Sequence, residues 1–186
     1  MIGWRHLERP LPYDGSQLSA QWALRHLGLL GDSVVSFVGP CRVLGTSLVD
    51  LEDAQAGREI RSASMLHFLV EHFDRDLERA VLRQRLLLAL VRDVMEELRP
   101  GLGLVRRGDD LYQRERKLSV SVATVSPVST LIHAGLNVDP TGAPVAAVGL
   151  AEWGLEPAPV AAAVARAYIA ELEGIARARC KVRGVN

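Results

Sequence analysis

The sequence predicts an α+β fold, a mixed and largely antiparallel sheet covered by helices, and three observations carry that expectation. Residues 117–125 and 131–138 alternate polar and apolar side chains with the period of a strand, and only Ser126-Pro127-Val128-Ser129-Thr130 separates them, as in an antiparallel pair. Residues 77–98 carry helix-forming side chains without Gly or Pro until Pro100-Gly101 stops them. An alanine-rich stretch, residues 157–178, reads as a closing helix that ends in a basic tail.

The remaining elements follow in chain order. Ser16 is the expected N-cap of a helix whose apolar stripe is Leu18, Trp22 and Leu24 or Leu27, with Gly28 or Gly31 as its end. Residues 33–38 read as a strand, and residues 42–51 contain a second. Residues 52–61 are polar without a clean period and read as a loop. The short apolar run 65–73 admits helix or strand by periodicity alone, and strand is the assignment preferred. Residues 102–107 lead into the strand region that begins at Lys117.

Composition narrows the function classes. A chain of 186 residues with 48% hydrophobic content suits one globular domain spanning residues 1–186. With 22 basic and 22 acidic side chains there is no global field to attract nucleic acid. No apolar run approaches the ~18 residues of a membrane span, and residues 86–91 are short and bordered by arginines. Residues 1–6 lack the apolar segment of a secretory signal, so the expected location is the cytoplasm. Cys41 and Cys180 then read as two reduced thiols, and a nucleophilic role for Cys41 needs a base that sequence alone does not place beside it.

The chemistry concentrates between Arg107 and Asp139. Along the first strand Lys117, Ser119, Ser121 and Ala123 share a face, with Leu118, Val120 and Val122 opposite; along the second, His133, Gly135 and Asn137 share one. A register that sets Lys117 opposite Asn137 makes the two polar faces coincide. A narrow face of small residues with a single ammonium suits a carboxylate or phosphoryl group approaching close to the backbone.

The order of four motifs resembles the catalytic module of biotin protein ligases and, more distantly, lipoate ligases and octanoyl transferases. The family's Trp-Pro-Asn-Asp-Leu, Lys-Leu-Ala-Gly and Gly-x-Gly-x-Asn segments look like residues 107–112, Arg116-Lys117-Leu118-Ser119, and His133-Ala134-Gly135-Leu136-Asn137. Upstream, its Asp-Ser-Thr-Asn helix start is similar to Asp14-Gly15-Ser16-Gln17, and its Gln-x-x-Gly-Arg-Gly-Arg loop to residues 54–61. Residues 13–18, 49–53, 67–72, 84–87 and 117–124 more closely resemble a family catalogued as a domain of unknown function, of the DUF366 type. The departures are as informative. Ala54 stands where the ligases' glutamine reads biotin, Glu59-Ile60-Arg61 replaces the second Gly-Arg, and Asp109 replaces an asparagine near the nucleotide and metal. That added carboxylate needs Mg²⁺ or Arg107 to offset its repulsion of phosphate.

The resemblance implies that Lys117 meets the carboxylate of a small acid and the acyl phosphate made from it. By position, Gly57, Arg58 and Arg61 would contact phosphate or adenylate, and Asp109 and Asp110 the nucleotide. Asp53 and Asp110 are the candidate ligands of a divalent cation, and Ser16, Gln17, Gly135, Asn137 and His133 line the ligand end. His133 is also the candidate proton carrier. His67 and His72, five residues apart, are poorly spaced for a shared metal. The implied cofactors are ATP and Mg²⁺, and the implied partners are the acid or an acyl donor, an acceptor protein and a second copy of the chain. Two functions compete with acid activation by ATP: an acyl transfer that needs no ATP, and a ligand-binding protein that has lost nucleotide activation.

Overall fold

In the computed structural model, which describes residues 2–185, strands occupy Gly3–Leu7 (β1), Ser33–Val43 (β2), Ile60–His72 (β3), Leu104–Arg107 (β4), Asp110–Gln113 (β5), Arg116–Lys117 (β6), Ser119–Val125 (β7) and Thr130–Asp139 (β8). The helices are Trp22–Leu27 (α1), Leu51–Gln55 (α2), Leu77–Leu98 (α3) and Pro157–Lys181 (α4). One sheet runs β1-β2-β3-β8-β7, parallel at β1/β2 and antiparallel elsewhere; the second is a small β4-β5-β6 sheet. The expected α+β architecture, with a mixed and mostly antiparallel sheet, is therefore the observed one.

The strand period of two divides the large sheet into two faces. Val34, Leu66, Phe68, Val70, Ile132, Ala134 and Leu136 pack with Leu87, Leu88, Val91 and Met95 of α3 and with Val160, Val164, Ala165 and Tyr168 of α4. Each fully buried large apolar side chain there contributes about 1.5–3 kcal/mol. Helix α3 holds this position because its buried residues recur at helical spacing from Ala80 to Met95, Asp76 caps it by accepting from the Arg79 amide, and Gly101 turns the chain away at φ +88°. The opposite face carries Tyr13, Val35, Phe37, Cys41, Val43, Met65 and Leu69, and it is the face on which the candidate site lies.

Several local expectations are corrected. No helix starts at Ser16. Its amide and hydroxyl both donate to Asp14 Oδ1, at 3.0 and 2.6 Å, closing a local turn, and the helix is delayed to Trp22. The Gln21 amide is held by the buried Glu71 carboxylate at 2.7 Å. Gly28 does end the helix, in the left-handed region. The strand expected at 33–38 continues as one strand to Val43, because a bulge between Gly39 and Cys41 absorbs Pro40; the second strand expected in 42–51 reaches no further than Val43, since Gly45–Ser47 form a 3-10 turn and Leu51 starts a helix. Residues 11–13 run beside it: the Leu11 amide donates to Val38 O and the Tyr13 amide to Pro40 O. The expected 52–61 loop contains α2, capped by Asp50, which accepts from the Glu52 and Asp53 amides. Residues 65–73 are a strand as expected. Strand β1 escaped notice because it is short and partly exposed along its length.

The largest correction is one of register. Asn137 faces Leu118, whose carbonyl accepts from the Asn137 amide at 2.9 Å, and Ser119 pairs with Leu136. A shift of one residue exchanges the faces of a strand. Val120 and Val122, not Ser119 and Ser121, therefore lie beside Gly135 and His133. Ser119 Oγ accepts from the Leu111 amide, and Ser121 Oγ accepts from Gln84 of α3. Lys117 belongs to β6, where its backbone pairs with Tyr112 and bonds to Ala146 and Val148.

Candidate functional site

A cavity of about 840 Å³ opens on the face of the large sheet away from α3 and α4. Tyr13, Met65, Val120, Val122, His133 and Asn137 form its sheet side. Helix α2 and the turn after it supply Asp53, Gly57 and Arg58, β3 supplies Arg61, the β4–β5 turn and the small sheet supply Asp109, Asp110 and Lys117, and residues 143–145 and 147 complete the wall. Nine of the sequence-derived candidates thus meet in one place: Asp53, Gly57, Arg58, Arg61, Asp109, Asp110, Lys117, His133 and Asn137.

Lys117 does not stand alone. Its Nζ lies 2.7 Å from Asp110 Oδ2, with side chains 27% and 15% exposed. The other oxygen, Asp110 Oδ1, is shut away from solvent and has no hydrogen-bond partner among the described residues. Burial pushes the Asp110 carboxyl up from 3.8 to about 6, with Lys117 opposing that rise and Asp109 adding to it. Asp109 is balanced by Arg85 at 3.7 Å. The Arg107 suggested for that role instead holds Glu115 at 2.8 Å.

Arg58 is exposed and bridged to Asp53 at 2.7 Å. Both partners are thereby engaged, and no group of three or more metal-ligating side chains gathers among the described residues. Arg61 lies opposite Arg42 across β2 and β3, and neither has an acidic partner among the described residues. Asn137 orients the lysine strand, donating from Nδ2 to the Lys117 carbonyl at 3.2 Å. Gly135 does not line the cavity; the Met65 side chain lies over it where a Cβ would sit. Ser16 borders a separate groove with Arg42 and Thr46, and Gln17 turns back to donate to Pro12 O. These two are set apart because the expected helix N-terminus is a turn.

His133 is almost completely buried and stacks on Tyr13, with ring centroids 3.9 Å apart and planes within 12°. Its Nε2 is 3.1 Å from Nδ1 of His67, whose own Nε2 is 3.2 Å from Gly39 O. Desolvation holds His67 down at about 4 and His133 well below the ordinary imidazole range, so both are neutral at pH 7. His72 faces the other way, between Asp32 at 2.8 Å and the Tyr168 hydroxyl at 3.0 Å. The spacing had separated the two histidines correctly. Tyr13 and Met65 were missed as site residues, since nothing in the sequence distinguishes either from an ordinary core side chain. Residues 143–147 were also missed, for they carry neither charge nor strand period.

Chemically, the site combines a paired ammonium, a shielded carboxylate oxygen, a guanidinium without an acidic partner and an apolar recess with a polar aromatic end. That set suits an elongated molecule with an anionic head. A family model described as "Domain of unknown function (DUF366)" matches residues 2–183. The uncharacterized protein MJ0805 of Methanocaldococcus jannaschii is 38% identical over 152 residues, which are 78% of this chain and 68% of that protein. A solved protein of unknown function from Pyrococcus horikoshi is 40% identical, with a TM-score of 0.94 and coverage of 100% of both chains. The biotin protein ligase from Aquifex aeolicus in complex with biotin and ATP is 20% identical, with a TM-score of 0.60, over 92% of this chain and 70% of that one. At that identity the likeness is one of fold, the fold of the biotin and lipoate ligase catalytic domains.

Proposed function

Since the chain belongs to the DUF366 family and carries the biotin/lipoate ligase fold, we propose that it binds a small carboxylic acid, or the acyl-adenylate made from it, for acid activation or acyl transfer. The observation that carries this reading is Lys117 at the wall of an 840 Å³ cavity, ion-paired to a carboxylate whose pKa burial pushes up to about 6. When Asp110 takes up a proton, Lys117 becomes available to an incoming carboxylate, and a fixed ammonium there also stabilises charge that develops during acyl transfer.

The residues present fit a nucleotide in part. Arg61 and Arg58 would hold phosphate, and Asp110 with Asp109 would hold Mg²⁺, the shielded Asp110 Oδ1 being an acceptor in need of a cation or donor. When bound, ATP supplies the adenylyl group that makes a carboxylate reactive. The chain's own contribution is to position and charge-stabilise, with Asn137 fixing the backbone that carries Lys117.

A second reading, a ligand-binding or regulatory protein of the same fold, is favoured by one observation. Both Lys117 and Arg58 already carry acidic partners at 2.7 Å, so less positive charge remains for phosphate. Incubating the protein with ATP, Mg²⁺ and biotin, lipoate or medium-chain acids separates the two. Acid-dependent pyrophosphate release that Lys117→Ala abolishes supports activation. Transfer from an acyl carrier donor without ATP supports the transferase form, and binding without turnover across the panel supports the regulatory reading. Binding of every acid undiminished in Lys117→Ala would remove the carboxylate subsite.

A further inference from the structure

Phe37, His67, Tyr13 and His133 form a stacked, buried array at the sheet side of the cavity. Tyr13 and Phe37 each lie 4.9 Å from the His67 ring, and Tyr13 lies 3.9 Å from His133. Tyr13 and His133 line the cavity itself. The hydrogen bonds in this array have a direction that chemistry alone determines. A backbone carbonyl only accepts, so His67 donates its Nε2–H to Gly39 O. In a neutral ring the other nitrogen is then an acceptor, and His133 must donate its Nε2–H to His67 Nδ1. His133 Nδ1 is left with a bare lone pair. Among the described residues no group donates to that nitrogen, and the Tyr13 hydroxyl makes no hydrogen bond. Burial keeps both rings neutral, which preserves the arrangement through the neutral pH range.

We propose that His133 is a specificity-determining residue whose Nδ1 accepts a hydrogen bond from the ligand, so that the acid taken by this site carries an O–H or N–H donor at the end remote from its carboxylate. The inference rests on the acid-binding reading. His133 stands four residues along β8 from Asn137, which contacts the Lys117 carbonyl; at ~3.3 Å per residue these two strand positions are about 13 Å apart, so an elongated ligand is needed to meet both. A ligand spanning that distance with a plain alkyl end would cover the lone pair and leave it unsatisfied. Sites built around a hydrogen bond discriminate against a ligand that lacks the partner by at least about tenfold. In this role His133 holds no proton on Nδ1 to give to a substrate, and its Nε2 proton is committed to His67.

The test pairs ligand titration with a tautomer measurement on the free protein. Octanoic acid and its ω-hydroxy derivative are titrated calorimetrically into the wild type, His133→Phe and Lys117→Ala, and the imidazole ¹⁵N shifts are recorded on the apo wild type. Expected are an Nδ1 of His133 without a proton, a preference of about tenfold or more for the ω-hydroxy acid, and loss of that preference in His133→Phe, which keeps an aromatic ring against Tyr13. A protonated His133 Nδ1, or an equal preference in wild type and His133→Phe, overturns the proposal. Equal binding of the two acids that Lys117→Ala abolishes overturns it while leaving the carboxylate subsite intact. Absence of binding by either acid overturns the acid reading, and the ligand preference with it. The ¹⁵N readout needs no variant, so it stands even where His133→Phe fails to fold.

Discussion

Replacing Asp110 with Asn asks whether the Lys117–Asp110 ion pair stabilises the protein. The pair is well formed at 2.7 Å, yet burial outweighs the lysine and moves the carboxyl from 3.8 to about 6. A shift of that size corresponds to about 3 kcal/mol against the charged form, since each pKa unit is about 1.4 kcal/mol. The folded state binds the proton more tightly than the unfolded chain, so stability falls as pH rises from about 4 to about 6 and the penalty is complete above that. Asn stands in for the protonated acid. Asp110→Asn is therefore expected to unfold with up to about 3 kcal/mol more stability at pH 7.5, and with no difference once the wild-type carboxyl is protonated below about pH 4. In a chain of this size that corresponds to a Tm gain of roughly 6–12 °C at the higher pH. Urea and thermal unfolding of both proteins across the range provide the comparison. A variant less stable than wild type at pH 7.5 by more than about 1 kcal/mol would refute the reasoning, because the ion pair would then exceed its desolvation cost.

Two further outcomes follow from local geometry. Gly39→Ala places a Cβ against the Leu11 carbonyl, a backbone group that cannot rotate away, and it disturbs the carbonyl that orders His67; denaturation should show a loss of about 3 kcal/mol or more, and near-wild-type stability would contradict the described path of residues 11–13. Cys41 is 2% exposed and its thiol is pushed up to about 12 by burial, whereas Cys180 is exposed; thiol labelling of the native protein at pH 8 should modify Cys180 alone, and rapid labelling of Cys41 would restore it as a candidate nucleophile.

What could be read in the sequence was parity and periodicity within single elements. Leu77–Leu98 has helical spacing up to the stop at Pro100-Gly101, and β8 alternates polar and apolar side chains from His133 to Val138, so α3 and the two faces of β8 were legible before any contact was known, whereas the continuous apolar run of β3 left helix and strand both open by period. The order of the lysine, asparagine and arginine motifs likewise placed Lys117, Asn137, Arg58 and Arg61 at one cavity. Parity inside a strand does not specify parity between strands, however. Whether Ser119 or Val120 shares a face with His133 was decided by the Asn137–Leu118 hydrogen bond and by residues 146–148, which claim the Lys117 backbone. The partners of polar groups were equally beyond local reading. Glu71 withholds the Gln21 amide across 50 residues, His67 meets His133 across 66, and the Asp110 carboxyl is pushed up to about 6 by burial that no neighbour in sequence supplies. Periodicity is a local property of the backbone, whereas register and desolvation come from elements that meet only in the folded chain, and those two decided which side of the β8 pocket is polar and what its lysine faces.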